Sequence, residues 1–384
     1  MTQENVLSRA VEFAQTLVRV PSVSGTPATH DVIKAVEEIL RNNSRSTSRI
    51  AAEATGAPVL LAHCGSDDPA APSLMLSGHI DVVPPAGMTD PWSAEIRDGR
   101  LLGRGSTDMK GGAAAAIAAF CEASKQDLKG SLWLILSTDE ETDVKGVKAA
   151  LEEPGAPRPD LAIIAEPTEL TIRNEHRGDA WVRVDFKGRS AHSSRPHLGV
   201  NAIEAAALFI VRARKRLPEM QKEGPGIGLQ TTSIDMVSGG AAPNVVPANA
   251  SVTIDFRYQG EESGRIQEER ILRVVEELRK DPDFPPVEVS TTITGDWPAL
   301  SSSLENPVAQ QAIAAIEASL GHKVEVTPMS GWGEGGYMHA FGIPAFYFGP
   351  GEGKLAHTPQ ESSPVWHIEK AAEAIYRAVM AHCA

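Results

Sequence analysis

Short apolar runs closed by turn residues alternate along this chain with longer stretches whose apolar positions recur every three or four residues. The runs at 59–64, 73–76, 132–137, 161–165 and 345–348 are too short for typical helices and suit strands buried on both faces. Helical spacing occurs at 31–41, 145–152 and 307–320. The alanines at 113–116, 118 and 119 mark a helix over about 112–125 that can pack tightly on a sheet. Residues 1–19 read as an amphipathic helix with Val6, Ala10, Phe13 and Leu17 on one face. Residues 42–53 are polar and poorly periodic, so no element is assigned there. Strands alternating with helices predict an α/β domain with a mainly parallel sheet and helices on both faces.

From about His176 the pattern changes to apolar–polar alternation. Strands are predicted at 180–186, 231–237, 251–258 and 287–293, with helices at 201–216 and 264–280. Strand–helix–strand–strand–helix–strand is the order of a small antiparallel sheet with helices on one face, a ferredoxin-like α+β unit. This places an inserted domain at 176–295 within a domain built from 1–175 and 296–384. A length of 384 residues agrees with two domains, and no internal repeat interrupts the pattern.

The ends of the strands carry the chemistry. The run 132–137 leads directly into Asp139, Glu140, Glu141 and Asp143. Carboxylates this close repel one another and resist desolvation unless a cation neutralises them, although a solvated acidic turn is the alternative. Adjacent side chains on an extended backbone point in opposite directions, so Glu140 and Glu141 can do different work, one binding a metal and the other facing a water. The strand at 73–76 runs into His79 and Asp81. Two residues apart, they share a face, which suits a ligand imidazole and a carboxylate that orients its second nitrogen; a purely structural pair is the alternative. The run 161–165 ends at Glu166. In open α/β sheets, ligands collect outside the carboxyl ends of the strands. Three apolar runs that finish on His79, Glu141 and Glu166 therefore favour a metal centre. Asp108, in GRGSTDMKGG, stands just before a helix, where it would either cap the helix or bridge metals. That glycine-rich stretch lacks the Gly-Lys-Ser/Thr ending of a phosphate cradle.

Composition narrows the class further. A net charge of -14, from 50 acidic and 36 basic residues, argues against nucleic acid and anionic membranes as partners. Cys64, Cys121 and Cys383 lie far apart and form no C-x-x-C pair, which excludes a disulfide framework and a thiolate zinc site and suits a reducing compartment. No apolar run approaches the roughly 20 residues of a spanning helix, and the N-terminus does not read as a cleavable signal, so a cytoplasmic protein is expected.

In order along the chain, SGHIDVVP, GRGSTDMKGG, STDEE, AEPTE and the late Ala356-His357-Thr358-Pro359 resemble the co-catalytic zinc deacylases and peptidases. That family includes acetylornithine deacetylase, succinyl-diaminopimelate desuccinylase, aminoacylase and glutamate carboxypeptidase. The resemblance covers nearly the whole chain, and AEPTE and EHRGDAW are most similar to the acetylornithine deacetylase branch. It implies two divalent ions, zinc first with cobalt or manganese as substitutes, bridged by Asp108. His79 and Glu166 would complete one site, and Glu141 and His357 the other. Glu140 would be the general base, with Asp81 holding His79. The implied inserted domain serves as lid and dimerisation domain of a homodimer. Its KGRSAHSSRPHLGVNAI stretch would bring His192 to a neighbouring subunit's site as an oxyanion donor. Asn244 and Arg257 would touch substrate, the latter as a carboxylate clamp. The implied activity is hydrolysis of an N-acyl-L-amino acid, with dipeptidase or carboxypeptidase action as the alternative and a non-catalytic metal-binding protein as a third. One stretch departs from the family pattern: Gly333-Glu334-Gly335-Gly336 stands where many relatives carry Thr-Asp-Ala or Thr-Asp-Gly, which bears on substrate more than on chemistry.

Overall fold

The computed structural model describes residues 4–224 and 227–384, with side chains from residue 9 onward. The first three residues of the expected N-terminal helix, and the side chain of Val6, lie outside the described residues; the helix itself runs Glu4–Val18. The chain packs as two compact units, one of Met1–Asn174, Ser302–Pro328 and Gly333–Ala384, the other of Glu175–Ser301 and Met329–Trp332.

The first unit is built on a six-stranded sheet. Its order is Thr47–Ala51, Val59–Gly65, Ser131–Ser137, Ser73–His79, Leu161–Ile164 and Ala345–Tyr347. The last four strands run parallel and the first two antiparallel, so the sheet is largely parallel. Leu74, Leu76, Leu132, Leu134, Leu136, Leu161 and Ile163 are buried. Each such side chain contributes about 1.5–3 kcal/mol relative to exposure. The helix Lys110–Ala123 is buried along its whole length, because its small residues let it lie close to the strands. Gly112 shows how close: a Cβ there would stand 1.8 Å from the Ala165 carbonyl oxygen.

Two elements of this unit left no sequence signal. Thr47–Ala51 is an edge strand with little burial, so its pattern carries no alternation. The final helix, Val365–Cys383, buries Ile368, Ala371, Ala372, Ile375, Ala378 and Val379 at helical spacing, but largely through alanines, which mark a face weakly. It packs on Lys110–Ala123, Pro307–Leu320 and Glu4–Val18. Cys64, Cys121 and Cys383 are buried free thiols, and burial pushes all three up to about 12. Among the described residues no helix is long and apolar enough to cross a membrane.

The second unit holds an antiparallel sheet ordered Thr231–Gly239, Asn249–Tyr258, Gly178–Lys187 and Glu288–Trp297. Alternation puts Ala180, Val182, Val184, Phe186, Val252, Ile254 and Phe256 on one face. That face packs against Ala202–Glu219 and Gly264–Leu278, through Ala205, Phe209, Ile271 and Val275. Asn201 caps the first of these helices, its side-chain oxygen accepting from the Ile203 and Glu204 amides. The strand–helix order is the one the alternation predicts.

Candidate metal centre and active site

Three loops at the carboxyl ends of parallel strands, one helix-leading loop and one late loop converge in the first unit. His79 ends its strand almost wholly buried. Its Nε2 lies 3.2 Å from Asp108 Oδ1, 3.7 Å from Glu166 Oε1 and 3.9 Å from Glu140 Oε2. The other oxygen of Asp108 faces His357, whose Nε2 is 3.2 Å away and also 3.0 Å from Glu141 Oε1. Three groupings thus place ligand-type atoms within 4.8 Å of one another: His79–Asp108–Glu166, Asp108–Glu141–His357 and His79–Glu140–Glu141. Asp108 belongs to the first two, one oxygen to each. Its alternative role as a helix cap is not taken up, since the helix that follows has no side-chain cap.

Asp81 organises this cluster from behind. Its carboxylate accepts the backbone amides of Glu140 at 3.3 Å and Glu141 at 3.2 Å, and the hydroxyl of Ser24. The same carboxylate stands 3.5 Å from His79 Nδ1, and that nitrogen is 3.1 Å from the Asp81 carbonyl oxygen. One residue therefore turns the His79 ring and fixes the backbone that presents both glutamates. Asp139 looks away: it accepts the Lys145 and Gly146 amides at the start of a short helix. His357 holds a left-handed backbone at φ +63°, a conformation costly for a non-glycine residue and found where surrounding structure imposes it.

The electrostatics are those of carboxylates and imidazoles crowded together out of water. Burial, reinforced by Asp108, Glu334 and Glu141, pushes Glu166 up to about 8. Burial and the neighbouring Glu166, Glu141 and Asp108 raise Glu140 well above the usual carboxylate range. Burial disfavours the charged His79 ring, yet Glu166, Asp108 and Asp81 together raise it well above its ordinary value. Hydrogen bonds to Asp108 and Glu141 lift His357 to about 10. Burial opposes ionisation of Asp108, but the two imidazoles hold it below the usual range. The converging carboxylates repel one another, and positive charge among them relieves that repulsion. A set of carboxylates and imidazoles with one shared carboxylate fits two borderline-hard divalent ions such as zinc.

His192, Asn244 and Arg257 lie in the second unit. There the exposed His192 pairs its Nδ1 with Ser194 Oγ at 2.8 Å and forms a bridge to Val245, while Ser193 N donates to the Asn244 carbonyl at 3.1 Å. These two residues thus sit on adjoining loops. Arg257 directs Nε and Nη2 to the two oxygens of Asp255, each at 3.0 Å, and Nη1 to Asp179, also at 3.0 Å. Its fork is occupied by its own sheet.

Two further buried carboxylates stand near the cluster; the sequence reading met Glu334 only as a departure from the family pattern and did not single out Glu361. Glu334, in the departing Gly-Glu-Gly-Gly stretch, is buried, and burial with the charges of Asp139 and Asp81 pushes it up to about 8. Glu361, four residues beyond His357, accepts the Asp108 amide at 3.0 Å. Its Oε1 meets backbone amides and its Oε2 the Arg104 guanidinium, so no short sequence motif announces it.

Known proteins resemble this chain over most of its length. Residues 75–381 match the model of peptidase family M20/M25/M40. The chain is 30% identical to an acetylornithine deacetylase of Myxococcus xanthus, over 81% of this chain and 80% of the relative. It is 29% identical to a succinyl-diaminopimelate desuccinylase of Rhodopseudomonas palustris, covering 97% of both. A solved Bacillus subtilis protein, described as a dinuclear metal-binding peptidase from the M20 family, superposes with a TM-score of 0.70 at 17% identity over 99% of each chain. The matched region begins within the strand that ends at His79 and reaches past His357, so the residues that converge here fall inside it. This chain belongs to peptidase family M20/M25/M40.

Proposed function

We propose that this protein hydrolyses the amide bond of an N-acyl-L-amino acid, releasing a carboxylate and a free amino acid. As a member of its family it is a metal-dependent hydrolase of the acyl-amino-acid or peptide type. The observation that carries the finer reading is Asp108, one oxygen toward His79 and the other toward His357, with Glu140 beside them. In this reading His79, Asp108 and Glu166 hold one divalent ion, and Asp108, Glu141 and His357 hold the second. When bound, the pair of ions would polarise the scissile carbonyl and acidify a nearby water.

The rest is the work of the chain's own residues. Glu140 takes the proton from the attacking water and returns it to the leaving nitrogen, a role its place 3.9 Å from His79 Nε2 suits. Asp81 keeps His79 Nε2 aimed at the centre by engaging Nδ1. His192 would donate to the developing oxyanion from a second copy, which is worth roughly 3–4 kcal/mol of barrier for a donor of this kind. The edge strand Thr231–Gly239 supports pairing with that copy: Met236 and Val237 are 68% and 67% exposed on it. Asn244 adjoins His192 and would contact the same substrate. Arg257 could clamp a substrate carboxylate only by exchanging Asp255 for it. Incubating the zinc-loaded protein with N-acetyl amino acids and with dipeptides tests the reading. Faster turnover of the acylated amino acids supports it, and preference for dipeptides would replace it with the peptidase alternative, which the Bacillus subtilis neighbour favours.

A further inference from the structure

Glu361 is fully buried, and so is its partner Arg104. Its Oε1 accepts three backbone amides of the loop that carries Asp108: Gly105 at 3.0 Å, Thr107 at 3.1 Å and Asp108 itself at 3.0 Å. Its Oε2 pairs with Arg104 Nη1. The zip continues beyond it. Thr107 Oγ1 donates to the Ser362 carbonyl at 2.8 Å, and the strand Ser362–Pro364 pairs with Arg100–Leu102. The segment that leaves His357 is therefore fastened to the segment that arrives at Asp108, with Glu361 at the junction. A carboxylate that already accepts three amides and a guanidinium has no capacity left for substrate or metal.

We propose that Glu361 is a positioning residue for the second metal site: it fixes where Asp108 Oδ2 stands relative to His357 and Glu141 before any ion binds. This rests on the two-ion reading above. The first site draws its other ligands, His79 and Glu166, from strand ends that the sheet holds in place, so it depends less on this clamp. The second site depends on the separation of two loops, and Glu361 sets that separation.

Cobalt titration followed by visible absorption, with a competing chelator, reads the two equivalents separately. The variants are Glu361→Gln and the double variant Arg104→Met/Glu361→Gln, which leaves no unpaired buried charge and so protects folding. In variants that melt cooperatively, the first equivalent is expected to bind as in the wild type and the second about 10–100-fold more weakly, the usual loss when a ligand's support is removed. A merely structural role would weaken both equivalents alike or neither, and either result overturns the proposal. Amide exchange on the metal-free wild type gives an answer that needs no variant. Gly105, Thr107 and Asp108 should stay protected without ions; rapid exchange there would show that the metal orders the loop and would overturn the role of Glu361. A wild type that takes up only one ion overturns the two-ion reading as well, whereas two tight ions in every protein overturn Glu361 alone.

Discussion

His79 and His357 meet across a single carboxylate: each Nε2 lies 3.2 Å from a different oxygen of Asp108. The two rings come from opposite ends of the chain, yet their separation is set by the width of one side chain. A bridge of this kind is shared by both proposed sites, so its removal should not be selective. Asp108→Ala is expected to release both ions, where loss of a ligand unique to one site releases one. Elemental analysis after gel filtration reads this, and retention of a single full equivalent would separate the sites that Asp108 is argued to join.

Glu140 is placed to move a proton. Glu140→Ala should keep both ions and lower kcat by a factor on the order of 10²–10⁴, the span for a positioned acid–base group. Metal content and steady-state rates measured together decide the matter. Near-normal turnover would remove Glu140 from the role, and loss of metal would make it a ligand, as its grouping with His79 and Glu141 allows.

The pH dependence of the metal-free protein follows from the same crowding. Glu166 is lifted from 4.5 to about 8 and His357 from 6.5 to about 10. Both bind protons more tightly folded than unfolded, so their contribution is greatest at low pH and is lost as pH rises through those values. Asp108, held low, acts with the opposite sign, but only in the acid range. Between about pH 6 and about pH 9 the metal-free Tm should therefore fall, while the gain in Tm on adding zinc should widen, because ions need the deprotonated ligands. A metal-free Tm that climbs over that interval would contradict the arrangement.

His192 yields a test by mixing. If it serves a neighbouring copy, heterodimers of inactive His192→Ala and inactive Glu140→Ala protomers should recover part of the activity, since one of the two sites then has both groups intact. Absence of recovery after verified subunit exchange would argue for a site completed within one chain.

Packing offers a stability test away from the chemistry. The helix Lys110–Ala123 touches the sheet at Gly112, where a Cβ would fall 1.8 Å from the Ala165 carbonyl. Gly112→Ala should cost about 1–3 kcal/mol through forced backbone movement. Because Ala165 precedes Glu166, zinc affinity should fall with it. Unchanged melting would mean that the helix can retreat at no cost.

Much of the centre was legible in the sequence because chemistry and topology coincide there. Buried strands announce themselves as apolar runs, and parallel sheets gather functional groups at one end, so His79, Glu141 and Glu166 read as neighbours from the sequence. What stayed hidden lacked an apolar contrast or a side-chain partner. The edge strand Thr47–Ala51 buries little, the helix Val365–Cys383 shows its face in alanines, and Glu361 acts on amides, which have no letter in the sequence. Arg257 was readable as a cation on a strand but not as one already claimed by Asp255 and Asp179.

One carboxylate holding two ions underlies everything proposed for this site. Anomalous diffraction at the zinc edge from zinc-loaded crystals tests it most directly. Two full-occupancy peaks are expected flanking Asp108, one beside His79 and Glu166 and the other beside Glu141 and His357. A single peak, or ions bound away from Asp108, would contradict it.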